Sequence, residues 1–226
     1  MSRRKGRPLV RGRAVSSIIA LGLMLVSLLP TLANATPAHV AKSNHNGHVK
    51  VTPPEPSLTA SWWKEFVAVA GQNPLGRCDV GTGKIVFLPG TTGGTATRSC
   101  TTDKAKTFLV PLINIECSEA EGNGNTYEVL RACSEGVADD FTYLTLVVDG
   151  KAIGDLDRLR VQAESVFTPI DGNAFGIPAV ADSKFASDGY WALVKLTPGE
   201  HTLTFGGSYP PVNFTTQVTY HLTVKK

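Results

Sequence analysis

From Phe214 to Val224 the chain alternates without a break. Phe214, Thr216, Val218, Tyr220, Leu222 and Val224 fall on one side of an extended backbone, and Thr215, Gln217, Thr219 and His221 on the other. Successive side chains of a strand point to opposite faces, so this pattern is a half-buried strand of an antiparallel sheet. Such a strand needs a second layer over its apolar side. The upstream segments 84–88, 107–115, 144–148, 159–167, 189–196 and 201–205 are short, apolar or alternating, and read as further strands. Segment 95–101 is expected to return beside 84–88 after the Thr91-Thr92-Gly93-Gly94 turn, and Pro111 marks a bulge or an edge. Asp149-Gly150 is a strong hairpin signal, Thr197-Pro198-Gly199-Glu200 a second turn, and Gly206-Gly207-Ser208-Tyr209-Pro210 reads as a third. No fixed-period repeat occurs, which disfavours a solenoid or propeller. Many short strands with few helices predict a mainly β protein, an antiparallel β-sandwich.

Two helices are expected with it. Ser61 caps a stretch in which Trp62, Phe66 and Val69 recur at helical spacing beside Trp63, Val67 and Ala70, before Gly71 and Pro74. Its wide aromatic stripe is suited to packing over one face or end of a sheet. A shorter helix is expected between Cys117 and Cys133, capped by Asn125 or Thr126 with Glu128 in its first turn.

The stretch from Leu196 to Phe205, with Val148-Asp149-Gly150-Lys151 before it, resembles the hairpin turns of secreted immunoglobulin-like or jelly-roll sandwiches. The resemblance implies an architecture and no activity, because such sandwiches host many unrelated functions.

The amino-terminal region reads as an export signal followed by a tether. Six basic residues without an acid precede the apolar run 18–29, and Ala33-Asn34-Ala35 follows. These are the parts of a signal peptide over residues 1–35, and the run is too short to span a membrane. Residues 36–57 are polar and carry Pro37, Pro53, Pro54 and Pro56, so they are expected to form a disordered linker before a domain over 58–226. His39, His45 and His48 lie in that linker and read as solvated. The whole chain holds 22 basic and 19 acidic residues. Without the six in the leader, 16 basic residues face the same 19 acids, and the balance turns slightly negative. A basic nucleic-acid footprint is therefore not expected, nor a membrane span after cleavage.

All four cysteines, Cys78, Cys100, Cys117 and Cys133, follow the leader. An even count in an exported chain predicts disulfides, with neighbours paired: Cys78 to Cys100 and Cys117 to Cys133. No CxxC pair is present, which argues against a zinc knuckle or a thioredoxin-type site.

Between the last two cysteines lies an acidic segment. Glu119, Glu121, Asn123 and Asn125 alternate like oxygen ligands for calcium, with Asp139 and Asp140 as outside ligands. The EF-hand pattern fails, since Leu130 stands where its final glutamate belongs, and the segment reads first as a stapled, solvated loop. A phosphate-binding reading of Gly81-Thr82-Gly83-Lys84 fails too, because Cys78 and Ile85 occupy two of its required positions. HExxH and GxSxG are absent. His201 and His221, the two imidazoles of the folded part, read as structural and solvent-facing. Asp139 and Asp140 are adjacent and would diverge on a strand; a pair of Glu116 with a distant acid such as Asp157 or Glu164 is conceivable, though no spacing rule singles it out.

These observations predict a secreted, non-catalytic sandwich that binds an extracellular or cell-surface ligand, a glycan in the first instance. Tyr190, Trp191 and Tyr209 are the candidate stacking residues. The alternatives are a carboxylate-dependent glycan hydrolase or lyase and a calcium-stabilised interaction protein. Asn213-Phe214-Thr215 is a glycosylation sequon.

Overall fold

Two sheets take up the alternating segments, in a computed structural model that describes residues 49–68, 74–77, 80–102 and 107–226. In chain order the elements are β1 (Lys50–Thr52), α1 (Pro56–Ala68), β2 (Gly81–Thr82), β3 (Ile85–Phe87), β4 (Gly94–Thr102) and β5 (Thr107–Ser118). Then follow α2 (Tyr127–Ala138), β6 (Thr142–Val148), β7 (Lys151–Ala152), β8 (Arg160–Phe167), β9 (Ser183–Lys195), β10 (Gly199–Tyr209) and β11 (Phe214–Val224). The first sheet runs β1-β9-β5-β3-β2, with β8 also on β9; the second runs β4-β11-β10-β6-β7. The β3–β5 and β4–β11 pairs are parallel and the other pairs antiparallel.

The inner faces of the two sheets share one core. Phe108, Val110, Leu112, Ala192 and Val194 of the first meet Leu146, Leu203, Phe205, Val218, Tyr220 and Leu222 of the second. This burial is the cause of the β11 alternation. Arg98 of β4 ties the layers together: its guanidinium donates to the carbonyls of Pro89 and Gly90 at 2.8 and 2.9 Å and to the Tyr220 hydroxyl at 3.0 Å. Tyr220 donates in turn to the Pro89 carbonyl at 2.9 Å. Burial pushes that phenol up to about 12, against the opposing pull of Arg98.

The first sheet is covered on its other face as well, which explains why almost every side chain of β9 is buried. There Trp62, Trp63, Phe66 and Val67 of α1 pack with Leu109, Phe185 and Trp191. Trp62 meets Trp191 edge-on at 5.3 Å and donates its indole N–H to the Leu88 carbonyl at 3.0 Å. The long connection after β8 is strapped over this cluster by Asn173. Its amide donates to the carbonyls of Ile170 and Ile177 and accepts from the backbone N–H groups of Phe175 and Ile177, so the buried group is fully paired.

Helix α2 packs through Leu130 on Cys117 and Ala186. The Thr126 side chain caps it by accepting from the Val129 N–H, and Cys117 is bonded to Cys133 as expected. Cys100 is also disulfide-bonded. Its expected partner, Cys78, lies outside the described residues, as do Val69, Ala70, Gly71, the leader 1–35 and the histidines of the linker.

Four expectations need correcting. Helix α1 begins at Pro56, not Ser61, because proline presets the first helical φ and has no N–H to leave unpaired. Ser61 lies inside the helix and donates to the Ser57 carbonyl at 2.7 Å. The expected linker does not reach Ser57, since Lys50–Thr52 already pairs with β9. Segment 95–101 does not return beside β3: β4 crosses to the second sheet and runs parallel to β11. The Gly206–Tyr209 stretch is not a turn but the end of β10, paired with β11 throughout.

Candidate ligand-binding face

Apart from His221 and Glu200, the outer face of the second sheet is mostly uncharged. Thr95 and Thr97 of β4, Thr215, Gln217 and Thr219 of β11, Thr204 and Ser208 of β10 and Thr145 of β6 alternate with the core residues of their strands. Register lines them up in rows. Thr97 stands beside Thr219 and Thr219 beside Thr204; Thr95 stands beside Gln217, Gln217 beside Gly206, and Gly206 beside Thr145. Neighbouring strands lie about 4.8 Å apart, so each row is a ladder of hydroxyl and amide groups. Thr204 and Thr219 are linked through their hydroxyls at 3.1 Å.

The second row is broken in the middle, where glycine replaces a side chain. A Cβ at Gly206 would fall 2.0 Å from the Thr216 carbonyl oxygen, and one at Gly207 would fall 2.7 Å from Ile113 of the first sheet. Both glycines are therefore required by close approach. A hollow of about 310 Å³ lies on this face, lined by Gly94, Thr95, Tyr143, Thr145, Gly206, Gly207, Ser208, Thr215, Thr216 and Gln217. Every one of these residues belongs to β4, β6, β10 or β11.

Tyr143 stands at its edge. Gly206 pairs with Thr145 and Ser208 with Thr142, so β6 places Tyr143 and Leu144 opposite Gly207 alone. That extra residue is a β-bulge, a device that re-aims a side chain. Tyr143 sits in it at φ 53° with 83 % of its surface exposed. A left-handed backbone is a genuine outlier for a bulky residue, and a tyrosine ring in water forgoes the burial it would gain elsewhere. The Thr145 hydroxyl donates to the Tyr143 carbonyl at 3.4 Å across the bulge.

The residues singled out from the sequence lie elsewhere. Trp191 is fully buried against α1 and presents no face for stacking, and Tyr190 is 9 % exposed. Desolvation raises the Tyr190 phenol. Tyr209 is half-buried, with Phe141 edge-on at 5.8 Å. The oxygens proposed for calcium have separate partners. Glu119 takes Lys184 at 3.4 Å, the Asn123 side-chain oxygen accepts from the Ser118 N–H at 2.8 Å, and the Asn125 carbonyl accepts from Lys184. Asp139 pairs with Arg160 at 2.7 Å, whereas Glu121 lies against Glu116. Asp140 is exposed just past the end of α2. Among the described residues, no cluster of histidine, cysteine and acidic side chains is placed to hold a metal.

Glu116 does meet an acid, but it is Glu121, not Asp157 or Glu164; Glu164 is ion-paired with Arg131 at 2.7 Å. Burial first, and the neighbouring Glu121 second, push the Glu116 carboxyl well above its ordinary value. One of its oxygens is buried without a hydrogen-bond partner. His201 spans two turns: its ring nitrogens lie 2.8 Å from Asp149 and 2.9 Å from the Thr197 carbonyl. His221 is exposed on the outer face.

The sequence carries a signal for Tyr143. Leu144, Leu146 and Val148 mark the inner face of β6, so Tyr143 and Thr145 fall out of phase and outward. Its left-handed backbone depends on register with β10, which no local pattern contains. Compared with family models, with curated proteins and with solved structures, the chain matches none.

Proposed function

We propose that the chain is exported and that its folded part is a non-catalytic binding module, holding a glycan on the outer face of the second sheet at the hollow beside Tyr143. One observation carries this reading: a tyrosine held at φ 53° in a bulge, 83 % exposed, over an uncharged hollow rich in hydroxyls. Strained backbone persists where its surroundings over-determine it, and clusters at ligand sites. An exposed aromatic ring offers an apolar face to the C–H side of a sugar ring. Threonine and serine hydroxyls and the Gln217 amide both donate and accept, which suits the hydroxyls of the same sugar.

Export is supported by the leader and by cysteines that are disulfide-bonded. Within the sandwich class, the immunoglobulin-like arrangement is favoured over the jelly roll. The parallel run of β4 along the final strand is foreign to an antiparallel jelly roll.

The test is retention of the secreted protein on immobilised polysaccharides, with Tyr143→Ala run beside it. Retention that the substitution weakens tenfold or so supports the reading. Retention indifferent to Tyr143, or none across the panel, overturns it.

A further inference from the structure

We infer that the hollow takes an internal segment of a neutral polysaccharide, neither a charged glycan nor a chain end; this rests on the glycan-binding reading above. The argument begins with charge. None of the ten lining residues carries a carboxylate, ammonium, guanidinium or imidazole group. Along β10 and β11 the nearest ionisable side chain on this face is His221, paired with Thr202, and beyond it Glu200, paired with Thr223. These stand four and six residues from Gly206, or about 14 and about 20 Å at strand rise. Both exceed the screening length of about 8–10 Å at ordinary ionic strength. Arg98, the basic side chain of β4, is turned inward to Pro89, Gly90 and Tyr220. A uronate or sulfate in the hollow would lose water and gain no counter-charge, which is unfavourable. A neutral sugar hydroxyl would exchange water for Thr, Ser and Gln partners at little cost.

The shape sets the second half. Ligand pockets commonly hold about 300–1,000 Å³, and this hollow of about 310 Å³ is at the lower limit. All ten of its lining residues are strand residues, and no described loop contributes to the lining. A site that captures a chain terminus needs an end wall, whereas the lining here comes from the strands of one sheet alone. A polymer can enter and leave along the strands, with Tyr143 against one ring and the threonine rows under its neighbours.

The experiment is native affinity electrophoresis of the secreted protein in galactomannan or hydroxyethyl cellulose, against polygalacturonate and dextran sulfate. The expected result is retardation by a neutral polymer that persists from about 0.05 to about 0.5 M salt. Tyr143→Ala should weaken it about tenfold or more, and free monosaccharide should displace it only poorly. Gln217→Ala, at an exposed strand position, serves as a second variant and should weaken it severalfold. Retardation by the anionic polymers alone, still dependent on Tyr143, overturns the neutral assignment and leaves glycan binding standing. Efficient displacement by monosaccharide overturns the internal-segment assignment in the same way. No retardation by any polymer, or retardation untouched by both substitutions, overturns this inference and the reading under it.

Discussion

Tyr143 combines an unfavourable backbone with an exposed ring, and each part predicts its own measurement. A left-handed backbone costs an ordinary residue about 1–2 kcal/mol, which glycine avoids. Glycine loses part of that gain through its freer unfolded chain. Tyr143→Gly is therefore expected to raise stability by about 0.5–1 kcal/mol in urea unfolding while weakening polysaccharide retention about tenfold or more. A loss of stability of that size would make Tyr143 a packing residue instead. Gly206 gives the opposite case. Gly206→Ala drives a Cβ onto the Thr216 carbonyl oxygen, 2.0 Å away, and should cost about 2–3 kcal/mol. Glu116 gives a pH dependence. Its folded-state carboxyl is pushed from 4.5 up to about 9, so the folded protein holds a proton that the unfolded chain releases. The stability tied to that proton is complete below pH 4.5 and is lost as pH rises to about 9. The melting temperature should fall as pH rises from 4.5 to about 9, and Glu116→Gln should flatten that slope. An unchanged slope in the variant would contradict the assignment.

At the scale of elements, α2 shows which ties matter. Arg160 grips the carboxylate of Asp188 through two nitrogens at 3.0 and 2.8 Å and reaches Asp139 at the helix end at 2.7 Å. Asp188 raises the guanidinium most, and its own side chain is 3 % exposed. Arg160→Met would leave that carboxylate buried and unpaired, at a cost of about 3 kcal/mol in chemical unfolding. Arg131 pairs with Glu164 where both side chains are a third or more exposed, so Arg131→Met should cost about 0.5 kcal/mol or less. Equal losses would mean that the buried pair is not an anchor. The disulfide closing the α2 loop spans 16 residues, and its removal by Cys117→Ser with Cys133→Ser should cost about 3 kcal/mol.

What the sequence showed at this scale was whatever is set locally. The β11 alternation, the Asp149-Gly150 turn, the Pro111 bulge and the Thr126 cap depend on neighbours within a few residues, and each was legible. The β1 strand is three residues long, and only its pairing with β9 makes it a strand. The crossing of β4 is likewise a long-range choice, since its alternation fits β3 and β11 equally. Trp191 and Tyr143 illustrate the same limit for the site. Trp191 read as an aromatic strand residue but has a helix over it, whereas Tyr143, just outside the segment 144–148, stands in a bulge.

Taken whole, the described fold is layered unevenly. The first sheet has α1 on one face, and the second sheet on the other, with α2 packed at Cys117 and Ala186. The second sheet has its inner face in the core and its outer one lined by threonine, serine and glutamine. Aromatic and apolar bulk is spent on the covered sheet, while the open sheet carries hydroxyls, one exposed tyrosine and a floor of glycine. That division gives a rigid support for a broad polar face, as a shallow site without closing loops requires. The most direct measurement is a ¹H–¹⁵N spectrum of the labelled protein titrated with a neutral oligosaccharide of several units. Shifts confined to Thr95, Tyr143, Thr145, Gly206, Ser208, Thr215 and Gln217 are the predicted result. Shifts centred on α1, α2 or the Cys117–Cys133 loop, or none at millimolar ligand, would contradict it.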